Sequence, residues 1–204
     1  MKKKILLLLI LFMGLLVLSG CYDDAAVNTY SDPSFNKDTI TKLAVFPIRN
    51  TRVNPGDARR INRSVTQGIH NQSPNIEIMS ASEATQILNE HNLADDWATF
   101  LSNYQSSGIP NTKFLFKVGD VLNVDGIMQG EVLEATRIDG VYGERTARAE
   151  VTIRYSLLGT DSGKLLWEAT STGEKGTGTT IEDAPPIIEA ILLAQEQIIK
   201  TLPF

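Results

Sequence analysis

The stretch that most limits what this chain can become lies in its second half. Ala147, Ala149, Val151, Ile153, Tyr155 and Leu157 alternate with Arg148, Glu150, Thr152, Arg154 and Ser156. Successive side chains of a strand point to opposite faces, so this period of two specifies a half-buried strand rather than a helix. Asp161-Ser162-Gly163 then supplies a hairpin turn, with Gly where a positive φ is needed. Beyond the turn, Leu165, Trp167 and Ala169 continue the buried face. With an earlier run over 126–136, the sequence predicts three successive strands: 126–136, 147–158 and 164–172.

The first half has a different character. Leu43 to Ile48 is a short continuous apolar run, as expected of a strand buried on both faces. Residues 50–56, with Pro55-Gly56, read as a loop. Asp57 is placed to cap a helix over 58–71 whose stripe is Ala58, Ile61, Val65, Gly68 and Ile69. A second strand is expected over 75–79, and Ser80-Ala81-Ser82-Glu83 fits a capping box opening a helix to about 91. This β-α-β-α order favours parallel strands joined by a crossover helix. Two more helical segments follow, 95–104 and 112–122. After a Gly/Thr-rich loop over 173–180, Asp183 and Pro185-Pro186 start a closing helix carrying Ile187, Ile188, Ile191, Leu192, Ile198, Ile199 and Leu202. Trp97, Phe100, Leu101 and Tyr104 sit at helical spacing and default to core, as does Trp167 in the sheet. The expected fold is one α/β domain with a mixed sheet and helices in two or three layers.

The N-terminus sets the location. Lys2-Lys3-Lys4, an apolar run from Ile5 to Leu18 and the small pair Ser19-Gly20 are the three regions of an export signal. The run has fourteen residues, whereas a bilayer-spanning helix takes roughly 20. Leu18-Ser19-Gly20-Cys21 resembles the bacterial lipoprotein box. That resemblance implies cleavage before Cys21, acylation of its sulfur and N-acylation of the new terminus. Two or more acyl chains hold a protein stably on a membrane. The residue after Cys21 is Tyr22 rather than the Asp that signals inner-membrane retention in enterobacteria. The resemblance therefore implies the inner leaflet of an outer membrane, facing the periplasm. The expected division is signal peptide 1–20, lipidated tether 21–39 and folded domain 40–204.

Removing the signal leaves 184 residues, enough for one full core. The signal holds three of the 19 cations and none of the 24 acids, so the mature chain carries 16 basic and 24 acidic side chains, a net −8. That balance argues against nucleic acid as a partner. Cys21 is the single cysteine and is committed to lipid, which leaves no disulfide or thiol chemistry. His70 and His91 lie 21 positions apart, so no zinc site is expected. Both fall near predicted helix C-termini, where a cation suits the dipole.

Three stretches, KLAVFPIRN over 42–50, VDGIMQGEVLEA over 124–135 and VTIRYSLLGTDSGKLLWEAT over 151–170, are similar to the curli-secretion-channel lipoprotein superfamily. That group includes the lipoprotein activator of penicillin-binding proteins. The resemblance spans nearly the whole mature domain and marks a fold rather than a reaction. It implies a periplasmic α/β domain that binds other envelope components. The curli channel adds two long amphipathic hairpins that its subunits pool into a barrel. Here the link from Ile138 to Glu144 is too short for the 9–11-residue spanning strands a barrel requires. The expected role is a non-catalytic adaptor for an envelope partner; the alternative is a subunit of an oligomeric outer-membrane secretion or transport assembly.

Arg49, Arg52, Arg59, Arg60 and Arg63 place five guanidinium groups within fifteen positions, opposed by Asp57. They surround a strand-to-helix loop, where ligands of α/β folds collect. They therefore stand as a candidate docking patch for an acidic partner, a phospholipid head group or an anionic glycan. Arg59, Arg60 and Arg63 also lie opposite the apolar stripe, which a plain solvated helix face explains equally well. Gly173 to Gly178 lacks phosphate-loop spacing. Asp125, Glu131 and Glu134 are the nearest approach to a carboxylate set, but Glu131 and Glu134 have opposite parity in a regular strand and should point apart. No catalytic residue, metal site or cofactor is expected.

Overall fold

The computed structural model describes residues 27–49, 53–142, 145–177 and 183–204. Its centre is the predicted meander: β4 (Gly126–Ile138), β5 (Arg148–Gly159) and β6 (Leu165–Gly176) pair antiparallel in sequence order. Gly163 has φ +63°, and an added Cβ there would meet Thr112, so the β5–β6 turn needs glycine twice over. The sequence reading ended the last strand at 172. β6 instead runs on to Gly176, and the remainder of the expected Gly/Thr loop lies mostly outside the described residues.

The parallel half is added on the outer side of β4. There β2 (Lys42–Val45) lies between β4 and β3 (Glu77–Met79), parallel to both. Leu43, Ala44 and Val45 have no solvent exposure, as the continuous apolar run required. The crossover between β2 and β3 is α1 (Pro55–Gln72). Its cap is Asn54 rather than Asp57. The Asn54 side chain accepts from the Asp57 N–H at 2.9 Å and donates to the Asp57 carboxylate at 2.7 Å, while Pro55 takes the first helical position. Ser80 caps α2 (Ala81–Glu90) by accepting from the Glu83 N–H, as the capping box predicted. The polypeptide then forms α3 (Ala94–Ser107) and α4 (Thr112–Leu122) before entering β4.

The sheet order is β1-β6-β5-β4-β2-β3. The outermost strand on the meander side, β1 (Asn28–Ser31), was not foreseen, because these residues read as tether. They pair antiparallel with β6, Asn28 opposite Thr170 and Ser31 opposite Trp167. A short 3₁₀ turn, Lys37–Thr39, leads from there toward β2. Every residue of β1 is exposed and polar or aromatic, so no apolar alternation announces it. The free backbone edge of β6 supplies the pairing that its own sequence does not advertise.

Helices cover the sheet on both faces, making three layers. On one face α1 and the closing helix α5 (Ile187–Ile199) pack on the inward residues of the meander: Val151, Ile153, Tyr155, Leu157, Trp167 and Ala169 meet Ile61, Val65, Ile191 and Ile198. On the other, α2, α3 and α4 bury Leu88, Trp97, Phe100, Leu115 and Val118 against Ala44, Phe46, Ile127 and Leu158. This second layer reaches only the near ends of β4 and β5. The farther stretch of the same sheet face keeps partly exposed polar side chains, among them Thr152, Arg154, Glu168 and Thr170.

Candidate functional site

Of the arginines that cluster in sequence, Arg49 stands apart from Arg59, Arg60 and Arg63. Arg49 continues β2: its N–H donates to the Gly130 carbonyl and its carbonyl accepts from the Val132 N–H, both at 2.9 Å. Its guanidinium donates to the Leu101 carbonyl of α3 at 3.2 Å, on the sheet face opposite α1. Arg49 therefore ties α3 to the sheet and leaves the patch. Arg52 lies outside the described residues. Arg59, Arg60 and Arg63 are exposed on α1.

Two of these, Arg59 and Arg63, line a groove of about 1030 Å³ between α1 and α2. One helical turn apart, they share a flank with Asn62, Thr66, Gln67 and His70. The facing wall comes from α2 and its cap: Ser80, Ser82, Thr85, Gln86, Asn89 and Glu90. The groove arises from the topology. β3 stops at Met79 opposite Ala44, while the polypeptide of β2 continues through Pro47, which also lines the groove. Two helices on opposite faces of the sheet thus flank a gap where a longer edge strand would have stood. Among the described lining residues Arg59 and Arg63 oppose one carboxylate, that of Glu90, so this lining is locally basic within an acidic chain. Arg60 does not line it.

A second charged cluster was missed at the sequence level. On the uncovered sheet face Arg154 Nη2 lies 2.8 Å from the Glu131 carboxylate, and Arg154 Nε lies 3.8 Å from Glu168. Ser156 Oγ donates to Glu168 at 2.9 Å, and the Gln105 amide of α3 donates to Glu131. Tyr104 borders this cluster: burial pushes its phenol above the usual tyrosine range, and the Glu168 charge adds to the effect. The available signal was cross-strand register. That register was only partly readable: Arg154 and Ser156 share the outward parity of β5 and Glu168 that of β6, but Ser156 meets Glu168 only beyond a register shift at Leu157/Leu158 that the turn does not set.

The expected opposition of Glu131 and Glu134 is also corrected. The β4–β5 register shifts between Val132 and Glu134, so Glu131 faces Arg154 and Glu134 faces Thr152. Leu133 is the extra residue of a β-bulge, and both carboxylates end on one face. They still make no acid–base pair, because Glu131 is held in the arginine cluster. Asp125 stands near the opposite end of the strand, where its Oδ2 accepts from the Thr41 N–H, the Thr41 hydroxyl and the Lys42 N–H at 2.7–2.9 Å. Burial alone would raise the Asp125 pKa, but these donors outweigh it and hold the carboxyl below its ordinary range. Asp125 is a staple between β2 and β4.

His70 and His91 lie at the C-terminal ends of α1 and α2, as expected; among the described residues no group of His, Cys, Asp and Glu could hold a metal ion. Trp97, Phe100 and Leu101 are core, with ring centroids of Trp97 and Phe100 5.2 Å apart. Trp167 is core as well. No helix among the described residues is long and apolar enough to cross a membrane.

No protein-family model matches the sequence, and no curated protein matches it significantly. Among solved structures the chain is similar to a PelC dodecamer subunit from Paraburkholderia phytofirmans, at 13% identity over 85% of this chain and 96% of that one, TM-score 0.45. It is similar to lipoprotein GNA1162 from Neisseria meningitidis, at 12% identity over 79% and 99%, TM-score 0.49. The LpoB C-terminal domain from Salmonella enterica is similar at 10% identity over 65% and 81%, TM-score 0.39. With TM-scores below 0.5, none of these carries an argument about this chain, whose fold rests on its own topology.

Proposed function

We propose that this protein is a lipid-anchored, non-catalytic binding module of the bacterial envelope, held at the periplasmic face of an outer membrane by acylated Cys21. Its partner is an envelope protein that presents an acidic segment to the α1–α2 groove. The observation that carries this reading is the groove itself: about 1030 Å³, with Arg59 and Arg63 on one wall and Glu90 the sole carboxylate among its described lining residues. A groove flanked by two helices suits an extended or helical segment, and the paired guanidinium groups favour carboxylates on it.

The test is site-specific photocrosslinking in intact cells. A crosslinker at Gln67 or Thr85, inside the groove, should trap one distinct envelope protein, and the same residue at Arg60 should not. Arg59→Glu with Arg63→Glu should lower that adduct at least tenfold while Arg60→Glu leaves it unchanged, because like charges across a contact cost on the order of a kcal/mol or more each. Equal adducts from all positions would remove the groove from consideration.

A second reading, a subunit of a self-assembled ring or channel, draws on β1 and β3, the end strands of the sheet among the described residues. Unlike edges of this kind permit head-to-tail association between copies. Oligomers that survive dilution after detergent extraction would favour it, and a monomer throughout would exclude it.

A further inference from the structure

We infer that the tip of the β4–β5 hairpin, carried by Val141 and Tyr142, is a second membrane contact, seated in the interfacial layer of the bilayer that holds Cys21. The inference rests on the lipid-anchor reading above. Tyr142 is the most exposed large apolar side chain among the described residues, at 82%. Its position is built rather than incidental. Val141 and Arg145 exchange both N–H···O bonds, at 3.0 and 3.1 Å, and Tyr142 follows directly on that bridge. The base of the hairpin is braced on the approach to α5. The Ala184 N–H donates to Asp139 Oδ1 at 2.9 Å, and Arg137 Nη2 donates to the Ala184 carbonyl at 2.6 Å. A tyrosine held outward on a braced turn has an apolar body and a polar tip, the combination that partitions to the membrane–water interface.

The direction of β1 selects this end of the domain. Asn28 pairs with Thr170 in antiparallel sense, so the chain reaches β1 from the side of Ser171 to Gly176. Gly176 is level with Arg148, and Arg148 with Ile138, where the hairpin leaves the sheet. From Thr170 to Gly176 is about 20 Å along a strand. Seven residue steps separate Cys21 from Asn28, a reach of at most about 25 Å. A membrane within that reach of Asn28, on the side from which Val27 enters β1, therefore lies close to the hairpin end. The opposite end of the sheet carries the other strongly exposed apolar residue, Ile109, three positions before Thr112, which bonds the Gly163 carbonyl of the β5–β6 turn. That end lies beyond Ser31, on the far side of β1 from Val27.

The experiment uses the full lipidated protein in phosphatidylethanolamine–phosphatidylglycerol vesicles. With Cys21 acylated, Tyr142→Cys and Ile109→Cys each offer one thiol for an environment-sensitive fluorophore. The Tyr142→Cys probe should shift to the blue and be quenched by a nitroxide placed shallowly in the lipid, while the Ile109→Cys probe keeps its aqueous spectrum. Equal or greater quenching at Ile109→Cys, or none at either position in protein that still floats with the vesicles, overturns the hairpin contact and leaves the anchor standing. Protein that fails to float, or a Cys21→Ser variant that floats equally well, overturns the anchor and the inference built on it. In a second readout, Tyr142→Ser should dissociate from vesicles faster than wild type when the protein carries one acyl chain; an unchanged rate counts against the contact.

Discussion

At the scale of single residues, two positions carry more of the fold than their chemistry suggests. Gly173 of β6 lies against α5 so closely that an added Cβ would fall 2.1 Å from the Ala190 carbonyl oxygen and 2.7 Å from the Ala194 nitrogen. Both are backbone atoms of a helix and neither has a rotamer to escape by. Gly173→Val is expected to lower the urea midpoint by the equivalent of about 3 kcal/mol, at the upper end of overpacking costs. Unchanged unfolding would show that α5 stands off from β6. Asp125 acts through charge. Its carboxyl is depressed in the folded state, so its stabilisation is present above the unfolded-state pKa and is lost as pH falls through the lower folded-state value. Asp125→Asn should therefore unfold more easily than wild type at pH 7, with the gap closing toward pH 2. A gap that does not depend on pH would assign the effect to shape. Neither role was legible beforehand: Gly173 read as loop, and the Thr41 partner of Asp125 lies 84 positions away.

At the scale of elements, the sequence foretold what is periodic and missed what is borrowed. The inward set of β5, the capping box at Ser80 and the bounds of α4 were readable because each is specified within one window of residues. β1 was not, since its pairing comes from the vacant edge of β6. The bulge at Leu133 was not, since it exists only relative to the register of β5. The bulge makes a test. Leu133 is the supernumerary residue and 46% exposed. Deleting it leaves Val132 and Ala135 inward and Glu134 outward in a regular ladder, so stability should stay within about 1 kcal/mol of wild type. Deleting Thr152 from the regular partner strand turns one arm of β5 over and should cost several kcal/mol. Comparable losses for both, by thermal melting, would place the irregularity elsewhere.

At the scale of the whole molecule, the arginine cluster shows where reading from sequence stops. Proximity along the chain put Arg49 with Arg59 and Arg63, but a sheet lies between the strand extension that holds Arg49 and the helix that holds the others. Fold class follows from pattern alone, whereas the choice of three layers over two rests on helices packing on both sheet faces. A groove follows from where one edge strand stops short of its neighbour, a length mismatch that no local motif encodes.

The position of β1 also bears on how the molecule is made. Its partner β6 begins more than 130 residues later in the chain, and contacts of such high sequence separation close late because the intervening loop must be ordered first. Because a chain is made from its N-terminus, Asn28 to Ser31 emerge well before β6 exists for them to join. On the proposed lipoprotein reading, enzymes that trim and acylate Cys21 act on a chain whose β1 has not yet found its partner, and the sheet takes up this strand afterwards. On that reading the pairing of β1 follows the chemistry at the anchor rather than competing with it.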